Sequence, residues 1–426
     1  MLNKNIDILV NLNLSQEKVS VNEIIDTVTK TLKTTTTEII GTIIDSIQEN
    51  ILDNHLGSKW NELKNKMVPW ECPNCFEKCE FVRRGKRKRK IRSSSGVIGF
   101  YLYRVTCKAC NSTFCPFGQF LGIKPRMRIT NEFDEKILKI ASNLSYSNTS
   151  DSIELLLNEK ISATTVRNKI NSIAESIKIS PTQCNYETIL VDGTKVNASG
   201  APRGIDVHLA LAPTGAELID GRKYNTKQLI GLSVSNNTKS IKRQLKRVKC
   251  SNVISDGDVQ YNNLLEQVYP TANHKRCLWH IPHTLKHLLY FEKMPVDERV
   301  VLSSYLSKIL KESNFIKAQH LYIDLMYWFK SMKMINIYNY LYNAYNKIFI
   351  NEKEWNIKNN IITTSLIERE MREINRRTDI GCRWSEAGVE NLLKIRLVQK
   401  YSPHNWKEYF PTIRRNNINI TATICN

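Results

Sequence analysis

Two aspartates close two similar apolar stretches of this 426-residue sequence. Thr188–Asp192 and Asn252–Asp256 are each followed by a glycine, and each predicts a buried strand that ends in a turn. Two such strands lying side by side would bring Asp192 and Asp256 together at one edge of a sheet. Paired carboxylates are costly unless a cation neutralises them, and hard oxygen ligands select Mg²⁺ or Mn²⁺. The sequence therefore predicts a divalent-metal site at this edge.

Four cysteines form a second set of potential ligands, arranged as two Cys-x-x-Cys pairs. The pairs are Cys72 with Cys75 and Cys107 with Cys110. Each pair predicts a turn that aims two sulfurs at one point, and four thiolates complete a tetrahedral structural zinc site. Neither a signal pattern nor an apolar run long enough to span a membrane is found, so we expect reduced thiols that bind metal. Cys79 and Cys115 could each replace a ligand, although the spacing favours the two pairs.

Basic residues outnumber acidic ones, 62 to 41, which gives a formal net charge of +21. This balance predicts a polyanionic partner, most simply double-stranded DNA. A basic run between the two cysteine pairs is expected to contact phosphates, and with the strand-like Phe100–Val105 it has the layout of a zinc ribbon. The expected contacts are Arg83, Arg84, Lys86, Arg87, Lys88, Arg89 and Lys90. The alternative for this run is a solvated loop that binds nothing.

Three helical segments follow the ribbon and predict a helix-turn-helix. The segments are Phe133–Leu144, Thr149–Leu157 and a third that Ser162 is suited to cap. The early residues of the third helix are expected at base edges, as in a recognition helix. They are Thr164, Thr165, Arg167, Asn168 and Lys169. The alternative is an ordinary helical linker.

Between the two aspartates the pattern predicts a hairpin and a helix. Ile205–Ala212 alternates as a strand does, Pro213–Gly215 predicts a turn, and Ala216–Ile219 predicts the returning strand. Thr238–Val248 has apolar residues at helical spacing, and Tyr261–Val268 predicts a further helix after the second aspartate. The order strand, hairpin, helix, strand is that of an α/β, RNase H-like core with a mixed sheet flanked by helices.

At this point the sequence resembles a family, the DDE transposases of prokaryotic insertion sequences in the Mutator-related group. In that family an Asp-Gly strand end is followed by a Cys-x-x-His element, here Cys277 and His280. Its third acid lies in a Thr-Asn/Ser-x-Ile-Glu-Arg segment that leads into a basic helix, here Thr364–Arg369. The resemblance thus implies Glu368 as the third acid, and it extends from about residue 131 to residue 400.

The stretch between the second and third acids is long enough for the all-helical insertion that this family carries, expected at about 294–360. Its aromatic residues are expected to be mostly core. Beyond it, Trp384–Arg396 resembles the element that closes the catalytic domain in related transposases. Glu390 in this element is a rival for the third acid.

The resemblance implies cleavage and joining of DNA by two Mg²⁺ or Mn²⁺ ions per active site. Asp192 would bridge both ions, while Asp256 and Glu368 would each hold one. The implied partners are transposon ends and target DNA, and no membrane is expected. A homodimer or higher oligomer would bind this DNA, in the cytoplasm and associated with the nucleoid. Two alternatives remain open, a non-catalytic DNA-binding regulator and another RNase H-like nuclease such as a resolvase.

These motifs predict five regions along the chain. Residues 1–66 are expected to be helical, with the Thr34–Thr37 tract interrupting the pattern, and to serve packing or oligomerisation. The others are a zinc ribbon with its basic run at 67–128, a helix-turn-helix at 129–180, a catalytic domain at 181–405 and a tail at 406–426.

Overall fold

A computed structural model describes most of the chain and divides it into two compact units. The described residues are 20–56, 68, 70–78, 80–179, 181–199, 201–220, 222–350, 352, 355, 365–379 and 384–410. The first unit comprises residues 1–141 and 146–166, and the second comprises 142–145 and 167–426. Most of the predicted tail, the first 19 residues, Thr364 and Cys79 lie outside the described residues. No helix among the described residues combines the length and apolarity needed to cross a bilayer.

The first unit contains one long helix, a small sheet and a group of shorter helices. In chain order its elements are α1 (Val21–Leu56), β1 (Phe81–Ser93), β2 (Gly96–Cys107), β3 (Thr113–Phe114), α2 (Phe117–Phe120), α3 (Asn131–Ala141) and α4 (Tyr146–Leu157). Helix α5 (Ala163–Ser176) begins in the first unit and continues in the second. The strands form an antiparallel sheet in the order β1-β2-β3.

Helix α1 runs without a break through the threonine tract, so the predicted interruption is wrong. The hydroxyl groups of Thr34, Thr35 and Thr36 each donate to the backbone carbonyl four residues earlier. These bonds give the hydroxyls partners within the helix itself, and the tract stays helical although threonine is a poor helix former.

Helix α1 packs along the edge of β2 that β3 leaves uncovered. The Tyr101 N–H donates to Asp45, and Gln48 both donates to the Tyr101 carbonyl and accepts from the Tyr103 N–H. The alternating residues Ile91, Ile98, Phe100 and Leu102 of the hairpin form one buried apolar cluster. The hairpin is therefore fixed by its apolar face and, at one edge, by side chains of α1.

The second unit is built on a five-stranded mixed sheet. Its elements are β4 (Asn185–Ala198), β5 (Ala201–Ile219), β6 (Arg222–Val234), α6 (Lys239–Leu245), β7 (Lys249–Ser255), α7 (Val259–Val268), β8 (Asn273–Arg276), α8 (His280–Phe291), α9 (Val296–Ile309), α10 (Phe315–Ser331), α11 (Ile335–Ile348), α12 (Ser365–Asp379), α13 (Glu386–Tyr401) and α14 (Pro403–Tyr409). The strand order is β6-β5-β4-β7-β8. Strands β4, β7 and β8 are parallel, and β5 and β6 are antiparallel to their neighbours.

Helices lie on both faces of this sheet. Ile189 and Val191 of β4 share a core with Ile241 of α6 and Leu264 of α7. The intervening residues of β4 point to the opposite face, because successive side chains of a strand alternate. There Thr194 hydrogen-bonds Asn375 of α12, and α12 and α13 pack on the sheet. Asp192 has the same parity as Thr194 and so points to the α12 face.

Two predicted turns of this region are wrong. Strand β4 continues past Asp192 to Ala198, and β5 continues past Pro213–Gly215 to Ile219. The β5–β6 pairing shifts register between Pro213 and Gly215, so the turn signal marks a β-bulge within a long strand, as isolated glycines in strands often do. The returning strand is β6. The second Asp-Gly does end its strand, and the predicted helix after it is confirmed as α7.

The predicted helical stretch after residue 294 is confirmed in its described part as α9 to α11, which share a core with α8. Tyr322 and Phe329 are completely buried there, and the Tyr322 hydroxyl donates to the Leu341 carbonyl at 3.0 Å. Tyr327, Trp328 and Tyr342 are exposed. Residues 356–364, the end of the predicted insertion, lie outside the described residues.

Candidate active site

Asp192 lies in the middle of the sheet and is almost completely buried, with 4% of its surface exposed. Its Oδ1 accepts the N–H of Gly193 at 2.8 Å. Burial, and then the negative charge of Asp256, raise the pKa of Asp192 to about 7, and Glu368 acts in the same direction. A buried carboxyl surrounded by two others is a group that a cation would stabilise in its charged form.

Asp256 immediately follows the end of β7, beside Asp192. Leu190 pairs with Ile254 in the parallel register, so each aspartate stands two residues beyond the same pair. Gly257 has φ +89, a conformation that favours glycine, and turns the chain into α7. One carboxylate oxygen of Asp256 accepts the Asp258 N–H at 3.0 Å. The predicted meeting of the two aspartates at one edge therefore agrees with the sheet register.

Gly193 provides space for the hydroxyl of Tyr261, which reaches the sheet from α7. A β-carbon on Gly193 would lie 2.0 Å from that hydroxyl oxygen. The hydroxyl lies 2.6 Å from Nδ1 of His208, whose Nε2 lies 2.9 Å from the Ser235 carbonyl. Because a carbonyl only accepts, Nε2 carries the proton and Tyr261 donates to Nδ1. The glycine after Asp192 thus permits a close approach rather than a turn.

Gly257 of the second Asp-Gly is also approached closely by a side chain, the guanidinium group of Arg276 at the end of β8. A β-carbon on Gly257 would come within 2.1 Å of the guanidinium carbon. On another side Arg276 packs over the ring of Tyr340 from α11, 4.9 Å from its centre. Arg276 therefore packs between the turn that carries Asp256 and the helical insertion.

Glu368 belongs to the first turn of α12, which packs against β4. Its charge is among those that raise the pKa of Asp192. The rival Glu390 lies instead on α13, with its carboxylate 3.9 Å from the ammonium group of Lys394. Charge proximity to Asp192 thus favours Glu368 over Glu390.

The Cys-x-x-His element adjoins the two aspartates. Cys277 is completely buried, and its N–H donates to the Ser255 carbonyl at the end of β7. Burial lowers the pKa of His280, but Cys277 and the negative charges of Asp192 and Asp256 outweigh burial and raise it overall. His280 thus lies close enough to the carboxylates for each to shift the pKa of the other, and it lowers the pKa of Asp192.

A buried network anchors α12 and was not recognised in the sequence. Glu370 is 1% exposed, accepts the Tyr401 hydroxyl at 2.6 Å and pairs with Lys400 at 2.5 Å. Hydrogen bonds from these two groups lower its pKa against the opposing effect of burial. The network joins α12 to α13 two residues from Glu368 and so fixes the start of α12.

The four predicted cysteine ligands come together in the first unit. Their sulfur atoms all lie within 4.8 Å of one another, with Cys72 and Cys110 3.5 Å apart and Cys75 and Cys107 3.7 Å apart. A tetrahedron with metal–sulfur bonds of about 2.3 Å has edges of about 3.8 Å, so the set fits a structural zinc ion. In the described part of the chain, this is the one group of three or more potential ligands packed so tightly.

Ser112 also contributes to this cluster and was missed in the sequence. Its hydroxyl lies 3.2 Å from the Cys72 sulfur and 3.0 Å from the Cys110 sulfur. The hydrogen bond from Ser112 lowers the pKa of the Cys110 thiol to about 6, which favours the thiolate that metal binding requires. Cys115 packs in the neighbouring apolar cluster rather than with these four.

Comparison with known proteins places this chain in a family. Residues 14–408 match the family described as Transposase, Mutator family. The chain belongs to the Mutator family of transposases. Among characterised relatives it is similar to the transposase for insertion sequence element IS905 of Lactococcus lactis subsp. lactis strain IL1403, with 23% identity over 289 residues. That similarity covers 66% of this chain and 71% of the relative.

In this Mutator-family chain the basic run is a strand, β1, rather than a loop. Lys86 pairs with Tyr103, Lys88 with Tyr101 and Lys90 with Gly99, so these side chains share one exposed face of the hairpin. A shallow depression of about 450 Å³ opens there, lined by Lys88, Lys90, Val97, Gly99, Phe100 and Tyr101. We call the three lysines the lysine face.

Two of the four arginines of the run are held by the protein itself. Arg83 forms an ion pair with Asp53 of α1, and Arg89 donates to the Met127 carbonyl at 2.6 Å. Arg84 and Arg87 are exposed. The three lysines thus face solvent together, whereas Arg83 and Arg89 stabilise the hairpin through Asp53 and the Met127 carbonyl.

The Mutator-family chain also displays the predicted residues of α5 towards solvent. The Ser162 hydroxyl accepts the Thr165 N–H at 3.1 Å, so the predicted cap is present. Thr164, Arg167 and Asn168 are exposed, and Thr165 and Lys169 are half-buried. The opposite side of α5 carries the buried Val166, Ile170 and Ala174. Thr164, Arg167 and Asn168 therefore occupy the solvent-facing side of the helix, and Thr165 and Lys169 lie at its borders.

Proposed function

We propose that this chain is the transposase of an insertion sequence, which binds the ends of its element, cuts them and joins them to target DNA. The observation that carries the proposal is the meeting of Asp192 and Asp256 at the β4–β7 edge, with Glu368 acting on the same carboxyl, in a chain of the Mutator family. Intact acids at all three positions favour an enzyme over a non-catalytic regulator.

The strand order and directions of the second unit support an RNase H-like catalytic core. Strands β4, β7 and β8 are parallel, β5 runs opposite to them and β6 runs opposite to β5; this order with helices on both faces is the arrangement expected for that fold. In this proposal Asp192 supplies the central carboxylate from β4, Asp256 supplies the second from β7 and Glu368 supplies the third from α12.

The donor set suits Mg²⁺ or Mn²⁺, because all three groups are hard oxygen ligands and Asp192 is a buried carboxyl in need of a counter-charge. Asp192 would contact two ions, and Asp256 and Glu368 one each. When bound, two such ions supply activation of the attacking oxygen and stabilisation of the leaving oxygen.

The protein's part in the reaction is to hold the carboxylates in place and to position the DNA so that the attacking oxygen lies opposite the leaving oxygen. In cleavage, a water oxygen forms a bond to phosphorus, the bond to the 3′-oxygen breaks, and a free 3′-hydroxyl results. In joining, that hydroxyl attacks a target phosphodiester and a target 3′-oxygen leaves. No covalent bond to the protein is required, so no nucleophilic serine or tyrosine is needed.

The first unit, together with helix α5, which continues into the second unit, would provide the DNA contacts. We propose that the four cysteines hold a structural zinc ion in a ribbon, whose lysine face contacts phosphates. The exposed side of α5 would read the ends as the recognition helix of a helix-turn-helix. Two element ends must be held together for joining, so the protein would act as a homodimer or larger oligomer, on DNA in the cytoplasm.

A donor plasmid that carries the gene with its flanking DNA tests the proposal. Purified full-length protein should cut at two defined ends when Mg²⁺ or Mn²⁺ is added, and should join those ends to a second plasmid. The Asp256→Asn variant should bind the donor but neither cut nor join it. Wild-type protein that binds ends yet never cuts them would support a regulator, and cutting of branched DNA regardless of ends would support a nuclease.

A further inference from the structure

Helix α8 carries an exposed row of aromatic and cationic side chains that the proposed roles leave unused. The row, here called the α8 stripe, consists of Trp279, just before the helix, and His283, Lys286, His287 and Tyr290. These positions recur at helical spacing, and the opposite face holds the fully buried Ile281, Leu285 and Leu289. Trp279 is 47% exposed and Tyr290 60%, so much of each ring is open to a ligand.

The rings of the stripe support one another. Trp279 stacks on His283 with 5.1 Å between ring centres and 18° between the planes. His283 in turn contacts His287 at 4.9 Å. At the far end the guanidinium group of Arg299 from α9 lies over Tyr290, 5.1 Å from the ring centre. The rings are thus held in place while much of their surface remains exposed.

The stripe begins close to the carboxylates, and its cationic groups are Lys286 and the neighbouring Arg299. The Cys277 N–H, two residues before Trp279, donates to the carbonyl of Ser255, which precedes Asp256. Burial and the neighbouring His287 and His280 lower the pKa of His283. No acidic residue occurs from Trp279 to Phe291. A row of this kind offers flat faces for bases and cations for phosphates, over about 16 Å of helix.

We propose that the α8 stripe binds an unpaired DNA strand beside the proposed active site. Bases would stack on Trp279 and Tyr290, while Lys286 and Arg299 lie beside the phosphates. An unpaired strand fits better than a duplex, because only unstacked bases can offer their faces to these rings. The inference deepens the proposed function, since the strand it names is the DNA to be cut or joined.

Binding of a fluorescently labelled oligothymidine strand of about 20 nucleotides to full-length protein in EDTA tests the proposal. Trp279→Ala and Tyr290→Ala should each weaken binding about 10-fold, and Trp279→Phe should retain most of it. Trp328→Ala is the matched control, because Trp328 of α10 is exposed to a similar extent, 41%, and should bind as wild type does. Binding of a blunt duplex should change little in all four variants.

A second probe reports stacking directly. A strand with 2-aminopurine should lose fluorescence on binding wild-type protein and the Trp328→Ala variant, but less with Trp279→Ala, at matched thermal stability. Unchanged affinity and quenching for both Trp279→Ala and Tyr290→Ala would overturn the stripe. Because these measurements need no metal and no cleavage, a protein that never cuts DNA can still give the expected result. If the protein cuts DNA but the Trp279→Ala and Tyr290→Ala variants bind the unpaired strand as wild type does, the proposed role of the α8 stripe is wrong and the proposed function stands.

Discussion

The hydroxyl of Tyr261 occupies the space that a side chain on Gly193 would need. That hydroxyl also donates to the buried His208, and its pKa is raised by burial and by Asp192 and Asp256, so it stays protonated. The close approach ties α7 to the strand that carries Asp192. The glycine and the tyrosine therefore form one positioning pair.

Gly193→Ala should place a β-carbon 2.0 Å from the Tyr261 hydroxyl oxygen and displace α7 or β4. We expect a loss of about 1–3 kcal/mol in the free energy of unfolding and at least a tenfold loss of DNA cleavage. Adding Tyr261→Phe removes the shortest contact and should restore part of both, although ring carbons remain 3.0 and 3.2 Å away. Gly99→Ala is the control, since its β-carbon would meet nothing within 4 Å. Denaturant unfolding and an end-cleavage assay measure the two effects.

Asp192→Asn should stabilise the metal-free protein at neutral pH. Because the pKa of Asp192 is raised to about 7, the folded state keeps a proton that the unfolded state has lost between about pH 4 and pH 7. This carboxyl therefore lowers the free energy of unfolding as pH rises through that window, by an amount on the order of a few kcal/mol. Thermal unfolding in EDTA across this pH range should show a flatter profile for the variant.

Bound Mg²⁺ should make the wild type more stable than the Asp192→Asn variant, the reverse of the order expected without metal. Addition of Mg²⁺ should raise the melting temperature of the wild type, since a ligand that binds the folded state stabilises it. The Asp192→Asn variant should gain little. Equal gains in both proteins would place the metal elsewhere.

Glu368→Gln should abolish Mg²⁺-dependent cleavage, whereas Glu390→Gln should retain most of it. The two amides are a matched pair, because each removes one charge and keeps the shape of the side chain. Both variants should still shift DNA in a gel, since the first unit is unchanged. If the Glu368→Gln variant is active and the Glu390→Gln variant is inactive, Glu390 is the third catalytic carboxylate.

Full-length protein should contain about one zinc ion per chain. The double variant Cys72→Ser/Cys107→Ser should lose it, as measured by elemental analysis, and should unfold more easily. Cys115→Ser is the control and should retain zinc, because Cys115 lies in the neighbouring apolar cluster. Unchanged zinc content in the double variant would contradict the site.

Replacing Lys86, Lys88 and Lys90 with glutamine should weaken binding to specific and random DNA alike. If each lysine neutralises one phosphate, the slope of log affinity against log salt should fall by about 3. Lys78, Lys108 and Lys139 provide an equal loss of charge in the same unit, but each is already paired with a carboxylate. An equal effect of both triple variants would show that only net charge matters.

The sequence predicts the chemistry at this site better than its geometry. The two Asp-Gly pairs correctly identify neighbouring strands. The sequence cannot distinguish a glycine that forms a turn from a glycine that leaves space for a side chain distant in sequence. Gly193 is of the second kind, and its partner Tyr261 follows 68 residues later, so no local pattern could link them.

Other features depended on pairings that a single sequence does not specify. The polar strand β8 lacks the apolar run that marks a strand, and it forms because β7 offers it a parallel edge. The register shift in β1 between Arg83 and Lys86 brings Arg83 to the same face as the lysines, because their partners Val105 and Tyr103 share one face of β2. Moving the register by one residue would exchange the two faces.

The contacts of α1 with β2 have a consequence for behaviour in the cell. The unpaired backbone groups of an open strand edge can hydrogen-bond to an extended segment of another chain. Proteins that bind side by side on DNA would bring such edges close together. In this chain Asp45 and Gln48 occupy backbone groups of Tyr101 and Tyr103 that such a chain would need. The long helix thus protects the hairpin from edge-to-edge aggregation, and its truncation should lower solubility before it affects DNA cleavage.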